Sequence, residues 1–231
     1  ELAMPSFGIG PGGVCAMTGP MYHSAPGAYA SLAMVLGNDI HLLPRFEPEE
    51  LLQAIDEHKI SHMHVVPTMF VRMLRLPDAI KAKYDLSSLA HGIHGAAPCP
   101  PDAKKQMIEW WGDVIFEYYG STEAGIVSTA SSADAIAKPG TVGRPLDGTL
   151  VRIYDDDGKV LGTGESGEIY MTMNDLSDFT YHNKDDKRAE IEREGMVTNG
   201  DVGYMDEDGY LFLNDRKRDM IISGGVNIYP A

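Results

Sequence analysis

The sequence predicts an α/β chain: a mainly parallel sheet flanked by helices, followed by a β-rich portion. Three observations carry this. Up to about residue 126, short apolar runs alternate with helical patterns of about a dozen residues, the mark of βαβ units. Beyond that point come TVGRPL, TLVRIYDDDGKVL, GEIYMTM, GDVGYMDEDGYLFLNDR and MIISGG, short β-rich runs separated by Asp-Gly hairpin signals. The 231 residues are 43% hydrophobic, enough to bury the core of one large domain or one and a half ordinary ones.

Taken in order, residues 1–23 are rich in Gly and Pro and read as loop. APGAYASLAMVL, 25–36, suits a buried helix stopped by Gly37 and Asn38. IHLLP, 40–44, is a short strand. EPEELLQAIDEHK, 47–59, is an amphipathic helix with Pro48 and acids in its first turn, where the helix dipole favours them. HMHVVP, 62–67, is a second strand, and PTMFVRMLRL a helix opened by Pro67. GIHGAAP, 92–98, is a third strand running into small residues. PPDAKKQMIEWWG, 100–112, is a helix ended by Gly112, and VIFEYYG the fourth strand. In parallel sheets ligands bind at the carboxyl ends of the strands, where GAAPCP and GSTEAG both fall.

Composition excludes several classes. Thirty-four acids against 19 bases give a net charge of −15, and no basic run interrupts the acidity, so a nucleic-acid surface is not expected. An anionic ligand must be met by local arginines, backbone N–H groups or a metal ion. Cys15 and Cys99 make no disulfide framework, which points to a reduced cytoplasmic setting. No window approaches about 18 uninterrupted apolar residues, so no membrane span is expected. ELAMPSFGIGPGG lacks the layout of a signal peptide, and the absence of a first Met suits a fragment or processed product.

Several short patterns have plain explanations. GIGPGG, 8–13, has the letters of a dinucleotide-binding turn, but no strand precedes it and Pro11 interrupts it, so it reads as loop. His62 and His64 share a strand face without a third ligand at a recognisable spacing. Asp155, Asp156 and Asp157 before Gly158 form a solvated hairpin turn, and Met69 and Met73 read as core. YYGSTE alone could be a strand end, a glycine turn and a helix start capped by Ser121 or Thr122.

Its company argues for more. PMYHSAP (20–26), VVPTMF (65–70), HGAAPCP (94–100), YYGSTEAG (118–125), GTVGRPL (140–146), GEIYM (167–171) and TNGDVGYMDEDGYLFLNDRKRDMIISGGVNIYP (198–230) fall in one order. Together they resemble the adenylate-forming superfamily of acyl-CoA synthetases, peptide-synthetase adenylation domains and luciferases. The sequence departs from the usual pattern at Val197–Asp201, at Thr180-Tyr181 in place of Gly-Tyr, and at Glu117, where many members carry Asn or Gln near the adenine amine.

The resemblance implies an acyl-CoA synthetase-like N-terminal domain, incomplete, with an α/β portion over 1–127 and a distorted barrel-like β portion over 128–217. Residues 218–231 would be the hinge, at Arg218, and the start of a small C-terminal domain. The family's phosphate loop and distal lysine are expected outside these 231 residues, leaving this piece inactive alone and prone to self-association. The activity implied is carboxylate activation by ATP to an acyl-adenylate, then transfer to coenzyme A, with Mg²⁺. The ligands implied are therefore a small carboxylic acid, ATP or AMP, and CoA. Glu123 would hold Mg²⁺ and Thr122 would donate to the α-phosphate. Tyr119 would stack on adenine, whose other face lies along Gly95, Ala96 and Ala97. Glu117, Tyr118, Gly120 and Ser121 complete the nucleotide strand and turn. Asp201 would accept from the ribose hydroxyls and Arg216 would reach ribose or phosphate. His23, Val66, Pro67, Phe70, His94 and Gly120 would line the acyl pocket, with His23 between acyl group and phosphate. A peptide-synthetase or luciferase-like parent, or a non-catalytic nucleotide-binding piece, are the alternatives.

Overall fold

A computed structural model describes residues 8–174, 178–216, 221–223 and 226–228. The chain divides into two units: residues 1–117 with 131–139, and residues 118–130 with 140–231.

The first unit is a parallel sheet with helical crossovers. Its strands are β1 (Val14–Met17), β2 (Asp39–Leu42), β3 (His62–Val65), β4 (His91–His94) and the start of β5 (Ile115–Ser121). They lie side by side in the order β5-β4-β3-β1-β2, every pair parallel. The connections carry α1 (Ser24–Val35), α2 (Pro48–His58), α3 (Pro67–Leu74), the short α4 (Asp78–Lys81) and α5 (Pro101–Trp111). A further helix, α6 (Ser132–Ala137), belongs to the same unit.

Helix α2 shows how the local sequence does this. Pro48 opens it, Glu49 and Glu50 sit in its first turn, and Lys59 ends it with φ of 50° in the left-handed region. Leu51, Leu52 and Ile55 form the stripe it buries. Leu51 and Ile55 pack with Met63, Val65, Phe70, Met73 and Met107 in one core, each large side chain contributing about 1.5–3 kcal/mol of transfer free energy. Helix α5 buries Ala103, Lys104, Met107 and Ile108 and ends at Gly112, whose φ of 85° an L side chain would resist.

The second unit is antiparallel. It adds β6 (Gly125–Ala130), β7 (Thr141–Pro145), β8 (Thr149–Tyr154), β9 (Gly167–Met173), β10 (Glu192–Arg193), β11 (Met196–Val197), β12 (Asp201–Met205) and β13 (Leu211–Arg216). Their order is β10-β11-β9-β12-β13-β7-β6, with β8 also on β9. Helix α7 (Asp185–Glu190) lies between β9 and β10 in the chain. Val127, Ile153, Ile169, Met171 and Leu211 are the centre of its core. A separate antiparallel pair, β14 (Ile221–Ser223) and β15 (Val226–Ile228), follows.

The α/β class and the mainly parallel sheet flanked by helices are as expected. Two local readings are corrected. Residues 1–23 are not all loop, because Val14–Met17 is an inner strand between β2 and β3. Four residues between glycine- and proline-rich stretches show too little periodicity to be read. GSTEAG does not begin a helix: β5 turns through residues 122–124 straight into β6, and the Ser121 hydroxyl accepts from the Ala124 N–H at 3.0 Å. Both thiols are free, and burial pushes each up to about 12. Among the described residues no helix is long and apolar enough to cross a membrane.

Candidate active site

In the first unit the candidates gather at the carboxyl ends of adjacent parallel strands. Val66 caps α3 just past β3, and Pro67 and Phe70 are on that helix. His94 ends β4, and Gly95, Ala96 and Ala97 follow it. Ala96 holds φ of 64°, a conformation that costs an L residue roughly 1–2 kcal/mol. Strain of that kind persists only where the surroundings over-determine the backbone.

His94 is fully buried, and neither ring nitrogen has a hydrogen bond. The Phe70 ring meets it edge-on at 5.0 Å, and Glu117 Oε1 lies 3.8 Å from Nδ1. Glu117 is buried, and its Oε2 accepts from Lys104 Nζ, itself 4% exposed. Burial raises the Glu117 carboxyl, while the neighbouring ammonium opposes that shift. His94 is held well below the ordinary histidine range by burial, then by Lys104 and His64. His23 stands apart from these groups chemically: it is exposed at the start of α1, with its ring against Tyr22 at 4.9 Å.

In the second unit a hairpin turn carries the hydroxylated run. Gly120 is there for close approach: a Cβ would stand 2.0 Å from the Gly125 carbonyl oxygen. Tyr118 and Tyr119 are buried, and burial lifts the Tyr118 phenol to about 12. The Tyr119 hydroxyl donates to Asp201 Oδ2 at 2.8 Å, joining positions 82 residues apart. Arg216 stands opposite Asp201 in the β12/β13 ladder. Arg218 lies outside the described residues.

Glu123, in the turn, accepts from the Tyr181 hydroxyl through Oε1 at 2.9 Å. Burial and this carboxylate both hold the Tyr181 proton on, raising its pKa. No described residue donates to Oε2. Among the described residues no three His, Cys, Asp or Glu are grouped to enclose a metal. One hard carboxylate on a small-residue turn fits Mg²⁺, which keeps its waters and shares its other positions with phosphate oxygens.

The structure therefore brings together His94, Phe70 and Glu117 in one unit, and Tyr119 with Asp201 in the other. It adds two partners absent from the sequence reading, Lys104 and Tyr181. Lys104 was legible: it lies three and four residues before Met107 and Ile108, on the stripe that α5 buries. Tyr181 had no signal beyond its place in the Thr-Tyr pair.

The family model of AMP-binding enzymes matches residues 2–177. A long-chain-fatty-acid–CoA ligase of Bacillus subtilis is 36% identical over 204 residues, covering 88% of this chain and 36% of that protein. The amide bond synthetase McbA of Marinactinospora thermotolerans superposes with a TM-score of 0.87 at 31% identity, over 98% of this chain and 46% of the other. The O-succinylbenzoate coenzyme A synthetase MenE of Bacillus subtilis, in complex with ATP and magnesium ion, superposes with a TM-score of 0.82 at 27% identity, over 99% and 46%. The chain spans 36% to 43% of the length of the curated relatives it matches. With the matching model covering most of its length, the chain belongs to the family of AMP-binding enzymes.

Proposed function

We propose that the intact protein is an acid–thiol ligase, which activates a carboxylic acid with ATP and passes the acyl group to coenzyme A. The observation that carries this is the hairpin of residues 118–130, which presents Thr122 and Glu123 on a small-residue turn while its Tyr119 is tied to Asp201. The names of the curated relatives, CoA ligases in the main, support the thiol acceptor.

Each residue has a role on this reading. The carboxylate oxygen of the acid attacks the α-phosphorus of ATP, and pyrophosphate leaves with the bonding pair. An anion approaches a polyanion, so alignment and neutralisation matter more than a general base. Thr122 donates to the α-phosphate. Glu123 holds Mg²⁺, which when bound neutralises phosphate charge. Tyr119 stacks on adenine, and Asp201, to which its hydroxyl donates, accepts from ribose. Glu117 is spent on Lys104, so its contribution near adenine is structural. Phe70 and His94, with Val66 and Pro67, wall the acyl side. Arg218 serves as the hinge between the large domain and a small one.

The deciding experiment is ATP–pyrophosphate exchange and CoA-dependent AMP release by the intact protein with a panel of acids. Glu123→Gln should cut exchange on the order of 10²-fold or more, the scale of losing one electrostatic stabiliser, while leaving the circular dichroism spectrum unchanged. Exchange at the original rate would remove Glu123 from the site. Asp201→Ala should act on binding: a lost charged hydrogen bond of about 1.5–3 kcal/mol raises KM for ATP about 10- to 100-fold. A fall in kcat at unchanged KM would contradict the ribose role.

A second reading has one observation in its favour. The similarity to an amide bond synthetase admits an amine as the acyl acceptor in place of the thiol. Supplying CoA or amines to the preformed acyl-adenylate separates the two.

A further inference from the structure

We propose that Tyr181 is a positioning residue for Glu123, orienting its carboxylate to receive a divalent cation; this rests on the reading of Glu123 as the metal acid. An ionised carboxylate only accepts hydrogen bonds, so in the 2.9 Å contact the phenol is the donor and Oε1 the acceptor. A glutamate on a hairpin turn has three rotatable bonds and, without a partner, spreads over many rotamers, each lost at a cost in entropy when a ligand binds. The phenol fixes the carboxylate plane through one oxygen and leaves the other available. Carboxylates that ligate metals are held by such an outer hydrogen bond, whose loss typically weakens metal affinity about 10- to 100-fold.

The phenol is itself anchored. The Phe179 ring packs into the core of the second unit and meets the Tyr181 ring nearly perpendicularly, 5.6 Å between centroids. The Arg188 guanidinium, on α7, lies 4.6 Å from the centre of the Phe179 ring. Arg188 pairs in turn with Glu192 at 2.6 Å and with Asp178 at 3.5 Å. The segment 178–181 is thus braced by packing and by charge before any ligand arrives.

The test is calorimetric binding of ATP to the intact protein across a Mg²⁺ series and in EDTA. Four forms are compared: the parent, Tyr181→Phe, Glu123→Gln and the double variant. Tyr181→Phe keeps the ring and removes the donor. It should raise the half-saturating Mg²⁺ roughly 10-fold while leaving ATP affinity in EDTA unchanged. Glu123→Gln should abolish most of the Mg²⁺ enhancement, and adding Tyr181→Phe to it should change nothing more. Three results overturn the proposal. Unchanged Mg²⁺ dependence in Tyr181→Phe, beside a lost one in Glu123→Gln, shows that Tyr181 does not act on the metal acid. Weakened ATP binding in EDTA shows a general structural role. Mg²⁺ dependence retained in Glu123→Gln removes the metal reading itself, and the positioning role with it.

Discussion

Lys104→Ala should destabilise the protein by about 3–5 kcal/mol, the cost of breaking a buried ion pair from one side. Lys104 and Glu117 are each 4% exposed, and the ammonium bonds Oε2 of the acid. Removing the lysine strands a carboxylate whose other neighbour, His94, is itself buried and held neutral by burial. Water cannot reach it, so the acid must either take up a proton or open the fold. Thermal melting should fall on the order of 10 °C for a chain of this size. The informative companion is Lys104→Met with Glu117→Gln, which removes both charges at similar volume. It should recover most of the loss, since a buried pair contributes little net stability over well-packed neutral groups. A single variant that melts with the parent would show that the pair is wetter than its burial indicates.

Acidification from pH 6 to pH 5 should cost about 3–5 kcal/mol of stability, a large part of an ordinary domain's total. His62, His64, His91 and His94 are all buried on neighbouring strands β3 and β4, with His62 and His91 paired across the ladder. Burial lowers all four, His64 and His91 to about 4. The Glu117 carboxylate 3.8 Å from His94 favours a charge there, but the rings that face the others carry none. Tyr29 faces His62 and His64 at about 6 Å, Phe116 stacks on His91 at 3.8 Å, and Lys104 repels a charge on His94. In the unfolded chain these rings titrate near 6.5. Below that pH the unfolded state binds protons that the folded state refuses. The stability is thus complete above about 6.5 and is lost as pH falls towards 4, at up to about 1.4 kcal/mol per pH unit for each ring. Glu117 works the other way, because its raised pKa lets the folded state take a proton first, but it is one group against four. Urea midpoints measured from pH 7.5 to 5 should fall steeply below 6.5. A flat profile would place these rings in contact with water.

Elements with strong period or punctuation were legible. Pro48, Pro67 and Pro101 each opened a helix, and Gly112 ended one, because proline and glycine act on their own backbone irrespective of partners. The strand at Val14–Met17 was not, since its four residues stand between glycine- and proline-rich stretches that read as one loop. The same distinction holds in the site. Glu123, Tyr119 and Asp201 stood in runs whose local composition is unusual. The partners that hold them are ordinary residues made specific by contact: Tyr181 meets Glu123 across 58 positions, and Lys104 looks like any helix lysine until its stripe is drawn.

The path of the chain between its two units also orders events during synthesis. Unit 1 is left after Glu117 and re-entered for residues 131–139. That return is structural: the Ser132 hydroxyl accepts from the Ile115 N–H at 3.1 Å and donates to the Ile115 carbonyl at 2.7 Å. A polypeptide emerging from its N-terminus thus cannot complete the first unit until the hairpin of residues 118–130, which belongs to the other unit, has already emerged. The first unit to begin is not one that can be closed off before the second has started. The two are interlaced in time as well as in sequence, and neither could be exchanged between genes as a single uninterrupted segment.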